Sequence, residues 1–137
     1  MEKCYHCGQL RVVVKTIDNY ITEFRHDGVL HQFTVSRLET PTCEACGEMV
    51  FNGKVDDQIT DALRIHLGLL SSAEIRAELE RLNLPQKDVA KHLGIAEATI
   101  SRWVTDTQVQ SRAMDNLLRA YFALDEMRSF LAKLSAR

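Results

Sequence analysis

All four cysteines of this chain lie in two Cys-x-x-Cys-Gly knuckles, Cys4-Tyr5-His6-Cys7-Gly8 and Cys43-Glu44-Ala45-Cys46-Gly47. No other feature restricts the fold as strongly. Two thiols separated by two residues can face one ion, and two such pairs form a closed tetrahedral set for Zn²⁺ at about 2.3 Å. A glycine after each second cysteine supplies the positive φ that so tight a turn needs. The 35 residues between the knuckles exceed a compact zinc-finger loop, which is explained if they form a small sheet pinned at both ends. The expectation is one structural Zn²⁺ per chain held by Cys4, Cys7, Cys43 and Cys46. Four thiolates leave no open coordination position for catalysis. The alternative use of the same residues is thiol–disulfide exchange, since a Cys-x-x-Cys pair can lower a thiol pKa.

Between the knuckles the chain reads as strands. Arg11 to Ile17 is rich in valine, and Val29 to Ser36 alternates apolar and polar residues in part. Asp27-Gly28, set between Tyr20-Ile21-Thr22-Glu23-Phe24-Arg25 and Val29-Leu30, is a strong hairpin signal. After Gly53 the period changes. Ile59, Leu63, His66 and Leu70 recur at helical spacing behind Asp56-Asp57, which predicts a connecting helix over about residues 57–69. Ser71-x-x-Glu74 is a capping box opening a second helix with Ile75, Leu79 and Leu82 on one stripe. The boundary is therefore expected at residues 66–72, with a β domain plus connecting helix over 1–68 and a helical domain over 69–137.

Charge and composition remove several classes. The 137 residues are 45% apolar and 26% charged, ordinary for globular protein. The net charge of −2 is uneven: residues 1–69 hold 7 Lys/Arg against 10 Asp/Glu, and residues 70–137 hold 10 against 9. So weak a positive balance predicts that any nucleic-acid binding uses a dimer with locally placed cations. Met1-Glu2-Lys3-Cys4 enters the first knuckle without an apolar leader, and no run approaches the roughly 18 apolar residues of a membrane span. A cytoplasmic protein with no membrane partner is expected. No nucleophile and base stand at a recognisable spacing, so no enzymatic activity is expected.

From Gln86 to Trp103 the sequence QKDVAKHLGIAEATISRW has helix-turn-helix spacing: small Ala90 at the fifth position, Gly94 at the ninth, and Ile95, Ile100 and Trp103 at the tenth, fifteenth and eighteenth. Two helices crossing steeply need a small residue at closest approach and a glycine where the backbone turns left-handed. Burying Ile100 and Trp103 turns Glu97, Ala98, Ser101 and Arg102 outward. Arg102 suits the bidentate contact to guanine, Ser101 and Thr99 suit phosphate or base, Ala98 suits a thymine methyl, and Gln86 and Lys87 suit phosphate. The bland reading is a helical bundle with no DNA role, favoured by the modest charge. Leu117, Leu118, Tyr121, Phe122, Met127, Phe130 and Leu134 form an apolar stripe longer than one core needs, which suggests a dimer seam. Arg112 and Arg119 read equally as phosphate clamps or solvated residues.

Taken together, the knuckles, Leu84-Pro85-Gln86-Lys87, Thr99-Ile100-Ser101-Arg102-Trp103 and the run from Gln110 to Arg119 resemble the YgiT/MqsA-type antitoxin family. The resemblance spans nearly the whole chain. It implies an α+β architecture, with a small zinc-stapled antiparallel β domain followed by an all-α, Xre/lambda-repressor-like helix-turn-helix domain. It also implies a homodimer formed through the C-terminal domain, a palindromic double-stranded DNA operator, and a toxin protein engaged by the zinc domain. By the same resemblance the four cysteines are the zinc ligands and Arg102 matches a base-reading arginine. The chain departs from the pattern at Ala98, where the family has a base-reading asparagine, so the operator sequence does not carry over. Pro85 and Ala96 also replace the Ser or Thr that often caps the two helices. The function expected is a sequence-specific repressor that autoregulates a type II toxin-antitoxin operon. Its competitors are a regulator of the same fold without a toxin, and an interaction adaptor or redox-sensing zinc protein.

Overall fold

The computed structural model describes residues 2–136. It contains one two-stranded antiparallel hairpin followed by helices: β1 (Val12–His26), β2 (Val29–Cys43), α1 (Gly53–Leu67), α2 (Ser72–Arg81), α3 (Gln86–Leu93), α4 (Glu97–Val104), α5 (Arg112–Ala123) and α6 (Asp125–Ser135). This is the α+β arrangement expected. The chain divides into two compact units between Leu63 and Arg64, so the division falls inside α1. Among the described residues no helix is long and apolar enough to cross a membrane.

In the first unit Asp27 and Gly28 take φ of 50° and 77°, the two positive values that a two-residue type I′ hairpin turn requires. The ladder runs from His26↔Val29 at the turn to Val12↔Cys43 at the far end. Each strand is 15 residues long. The valine-rich stretch Arg11–Ile17 and the stretch Tyr20–Arg25 belong to the one strand β1. Pairing continues from Asp18↔Arg37 to Tyr20↔Val35, with Asn19 at φ 53°. Asparagine tolerates the left-handed region because its short polar side chain bonds locally. Opposite it, the buried positions of β2 change parity, from Phe33 and Val35 to Leu38 and Thr40. The connecting helix starts earlier than its aspartates suggested, because the Asn52 side chain accepts from the Val55 amide at 3.1 Å and caps it there. Gln58 then bonds both backbone groups of Glu39, at 2.8 and 2.9 Å, and docks the first half of α1 on β2.

The second unit has one apolar core, built from Leu70, Ile75, Leu79, Val89, Ala90, Ile100, Trp103, Val104, Leu118, Tyr121 and Phe122. The capping box is present in both directions: Ser71 Oγ accepts from the Glu74 amide, and the Glu74 carboxylate accepts from the Ser71 amide, each at 3.1 Å. α3 and α4 have Pro85 and Ala96 at their N-caps and no side-chain cap. Arg112 and Arg119, open between two readings in the sequence, remain exposed while bonding the C-terminal end of α1 and Asp115. Arg119 donates to Asp115 at 2.8 Å and to the Gly68 carbonyl at 2.9 Å, and Arg112 donates to the Leu67 carbonyl. These carbonyls lie at the helix end, where cations are favoured.

Candidate metal clasp and nucleic-acid interface

The far end of the ladder places the two knuckles together. Cys43 closes β2 opposite Val12, and the Cys4 amide bonds the Gln9 carbonyl at 2.8 Å. Each knuckle is folded by the same bond: the Gly8 amide to the Cys4 carbonyl and the Gly47 amide to the Cys43 carbonyl, both 2.8 Å. Gly8 and Gly47 have φ of 80° and 78°, and open space surrounds the point where a Cβ would stand at Gly47. Glycine is needed there for backbone conformation, not for room.

The four sulfurs lie within 4.8 Å of one another. Cys4 Sγ to Cys46 Sγ is 3.7 Å and Cys7 Sγ to Cys43 Sγ is 3.6 Å. A tetrahedron with metal–sulfur bonds of about 2.3 Å has sulfur–sulfur edges of about 3.8 Å. A disulfide would need about 2.05 Å, and all four thiols are free. The donor set therefore fits one metal ion. Cys4 and Cys43 are buried beside Val12 and Val50, while Cys7 and Cys46 are exposed, so one side of the quartet faces solvent.

Their acidities differ for physical reasons. Hydrogen bonding from the Cys46 amide pulls Cys43 down to about 7, and the Cys7 amide lowers Cys4 in the same way. At Cys46 the Glu48 amide also lowers the pKa, yet burial and the three neighbouring thiols outweigh it and push the group up to about 12. At Cys7 the Gln9 amide and the Cys46 thiol lower the pKa, but burial and the Cys43 and Cys4 thiols outweigh them and raise it. Clustered thiols resist joint ionisation, and a divalent cation among them removes that resistance.

The second unit carries the other set of candidates. α3 ends at Gly94, which has φ 74°, and the Ile95 amide reaches back to the Ala90 carbonyl at 3.0 Å, closing the left-handed cap. Ala90 is buried at 3% exposure where the helices meet, and Ile100 and Trp103 are buried at 1% and 2%. Trp103 is thus a packing residue. The opposite face of α4 leaves Glu97, Ala98 and Arg102 exposed and Thr99 and Ser101 half-buried. Gln86 is half-buried and Lys87 exposed in the first turn of α3.

A buried polar network behind this face had no signature in the sequence. Arg64 and Asp115 are fully buried, and Gln110 nearly so. Asp115 accepts from the Leu70 amide at 2.8 Å, from Gln110 at 3.1 Å and from Arg119 at 2.8 Å. Burial raises its pKa, but these donors, Arg119 foremost, outweigh that and hold it below the ordinary carboxylate value. The links from Arg64 to Gln110 and from Leu70 to Asp115 span 46 and 45 residues, beyond any spacing rule, whereas Asp115 and Arg119 form an i,i+4 pair on α5. His92, half-buried, pairs its Nδ1 with Tyr121 Oη at 2.8 Å.

Residues 75–122 match the helix-turn-helix family model. No curated protein matches the chain. The second unit is therefore a helix-turn-helix domain of the kind carried by DNA-binding transcription regulators, and the first carries four clustered cysteines able to hold one metal ion.

Proposed function

We propose that the protein is a cytoplasmic, sequence-specific DNA-binding repressor and the antitoxin of a type II toxin-antitoxin module, repressing its own operon. The observation that carries the reading is the two-sided α4: Ile100 and Trp103 seated in the core, Glu97, Ala98 and Arg102 exposed on the other face. In this geometry the recognition helix enters the major groove and the preceding helix lies across phosphates. Arg102 reads a base, Glu97, Ala98, Thr99 and Ser101 shape the contact around it, and Gln86 and Lys87 position the helix on the backbone. Leu124, Phe130 and Leu134 are exposed at 55%, 60% and 38%, which supports a homodimer through the C-terminal unit. Two recognition helices would then meet half-sites about 34 Å apart on a palindromic operator. The hairpin unit, stapled by one structural Zn²⁺ on Cys4, Cys7, Cys43 and Cys46, is the surface for a toxin. The family matched is a binding domain, consistent with a protein that performs no catalysis.

Arg102→Ala should weaken binding to the chain's own promoter fragment more than to random DNA, by about 5- to 150-fold for one bidentate base contact. Lys87→Ala should weaken both alike and reduce the salt slope by about 1. Equal losses on both DNAs for Arg102→Ala, measured by fluorescence anisotropy, would remove it as a base reader. The antitoxin role requires that co-expression rescue cells from the protein encoded by the neighbouring reading frame. Failure to rescue, with operator binding intact, leaves a stand-alone regulator.

A further inference from the structure

Arg64, in the last turn of α1, is fully buried. A guanidinium is costly to desolvate unless acceptors surround it. Its Nη1 donates to Asp106 Oδ1 at 2.7 Å, and its Nη2 lies 3.0 Å from the Trp103 carbonyl, 3.1 Å from the Gln108 carbonyl and 3.0 Å from Gln110 Oε1. All four acceptors belong to the end of α4 or to the segment that follows it. The Trp103 carbonyl is among the last-turn oxygens that a helix cannot satisfy internally. The adjacent Val104 carbonyl is taken by Arg76. Asp106 sits at φ 59°, and its second oxygen accepts from Ser72 Oγ at 3.0 Å.

The turn so held folds back on one residue. The amides of Thr107 and Gln108 both bond the Arg102 carbonyl, at 2.9 and 3.2 Å. Arg64 thus grips a segment that is hydrogen-bonded to the main chain of the exposed arginine on α4.

The geometry points to Arg64 as a positioning residue for sequence readout, fixing the end of α4 and the 105–108 turn and, through them, the placement of Arg102 against base edges. The inference rests on the reading of α4 as the helix that meets DNA. Stability alone would be served as well by replacing Arg64 and its acceptors together with well-packed apolar groups, since a buried ion pair taken as a whole contributes little net energy. What an apolar side chain cannot do is fix a direction. A planar fork reaching two backbone carbonyls and a carboxylate sets the rotation of the helix end, which lysine, a point charge, does not reproduce.

The test compares full-length wild type, Arg64→Lys and Asp106→Asn, all well below their unfolding transitions. Binding is measured to the DNA upstream of the protein's own reading frame and to a scrambled fragment of equal length, and amide hydrogen exchange is followed over residues 104–108. In Arg64→Lys the ratio of the two affinities should fall about tenfold, the scale of one misplaced bidentate contact, while binding to scrambled DNA stays within about twofold. The Thr105, Thr107 and Gln108 amides should exchange faster without loss of protection in α2, α3 and α5. Asp106→Asn, which keeps both carbonyl contacts, should shift both readouts the same way by less, and serves if Arg64→Lys does not fold. Wild-type ratio and exchange in a folded variant would overturn the inference, as would a parallel loss on both DNAs. If wild type fails to discriminate the two fragments, the DNA reading falls as well. If wild type discriminates and the variant does so equally, only the role of Arg64 falls.

Discussion

In the helical unit Ile75, Val89, Ile100, Trp103, Leu118 and Tyr121 bury their side chains in one continuous core, with a hydrogen-bonded polar network beside it. Around the knuckles of the hairpin unit the buried cluster is Cys4, Val12 and Cys43, with Val50 packed on it. A two-stranded ribbon is marginal in water by itself, and about 50 residues bury too little apolar surface to change that. The helical unit therefore rests on apolar burial, whereas the hairpin unit buries only the apolar side chains of Phe33, Val35, Leu38, Val55 and Leu63 away from its knuckles and would depend at its cysteine end on a metal that a chelator removes.

Metal removal gives the largest expected effect. Structural zinc in small domains supplies apparent free energies of about 10–16 kcal/mol at neutral pH. Treatment with a strong chelator should unfold the residues around both knuckles, seen as lost NMR dispersion and new protease cuts before residue 50, while the helical circular dichroism of α2–α6 persists. Simultaneous loss of the helical signal would show that the units do not stand separately. The converse is Trp103→Ala, expected to cost about 3–5 kcal/mol and to abolish operator binding while metal content stays at the wild-type value. A fall in bound metal on this substitution would break the contrast from the other side.

Acid should separate the units by a smaller margin. Asp115 titrates below its usual value of about 3.9 in the folded protein. Its stabilisation is therefore complete above that unfolded pKa and disappears as pH falls through the lower folded one. The melting midpoint of the helical unit should drop below about pH 4, and Asp115→Asn should flatten that drop while lowering the midpoint at neutral pH. The smallest effects concern helix ends. Ser71→Ala should cost about 1 kcal/mol, and Ala96→Ser, supplying the cap α4 lacks, should recover a similar amount. Thermal unfolding of both variants measures the pair, and an unchanged midpoint for Ser71→Ala would remove the capping box as a contributor.

Features set by neighbouring residues were legible in the sequence. The Asp27-Gly28 turn, the Ser71/Glu74 box, the left-handed Gly94 and the uncapped starts of α3 and α4 each depend on a few adjacent residues whose backbone preferences are strong. The juxtaposition of the knuckles was legible because metal donors have few alternatives. The continuity of β1 through Asn19 was not, since Asp-Asn resembles a turn until a partner strand holds it in register. Arg64 was hidden for a different reason. A lone arginine on an amphipathic helix reads as solvated, and only folding brings Asp106, Trp103, Gln108 and Gln110 to it. The tethering of Arg112 and Arg119, both exposed, is a third instance, decided by Asp115 and by the carbonyls of Leu67 and Gly68.

The hairpin also carries a schedule. Its turn lies between the knuckles, so the ladder can zip outward from residues 27 and 28 and deliver Cys43 beside Val12 only at its last pair. During synthesis at about 5–20 residues per second, Cys4 and Cys7 reach solution roughly 2 to 8 seconds before Cys46. Throughout that interval the first knuckle is a bare dithiol open to oxidants and to soft metals, with only half of the four donors that could enclose one ion.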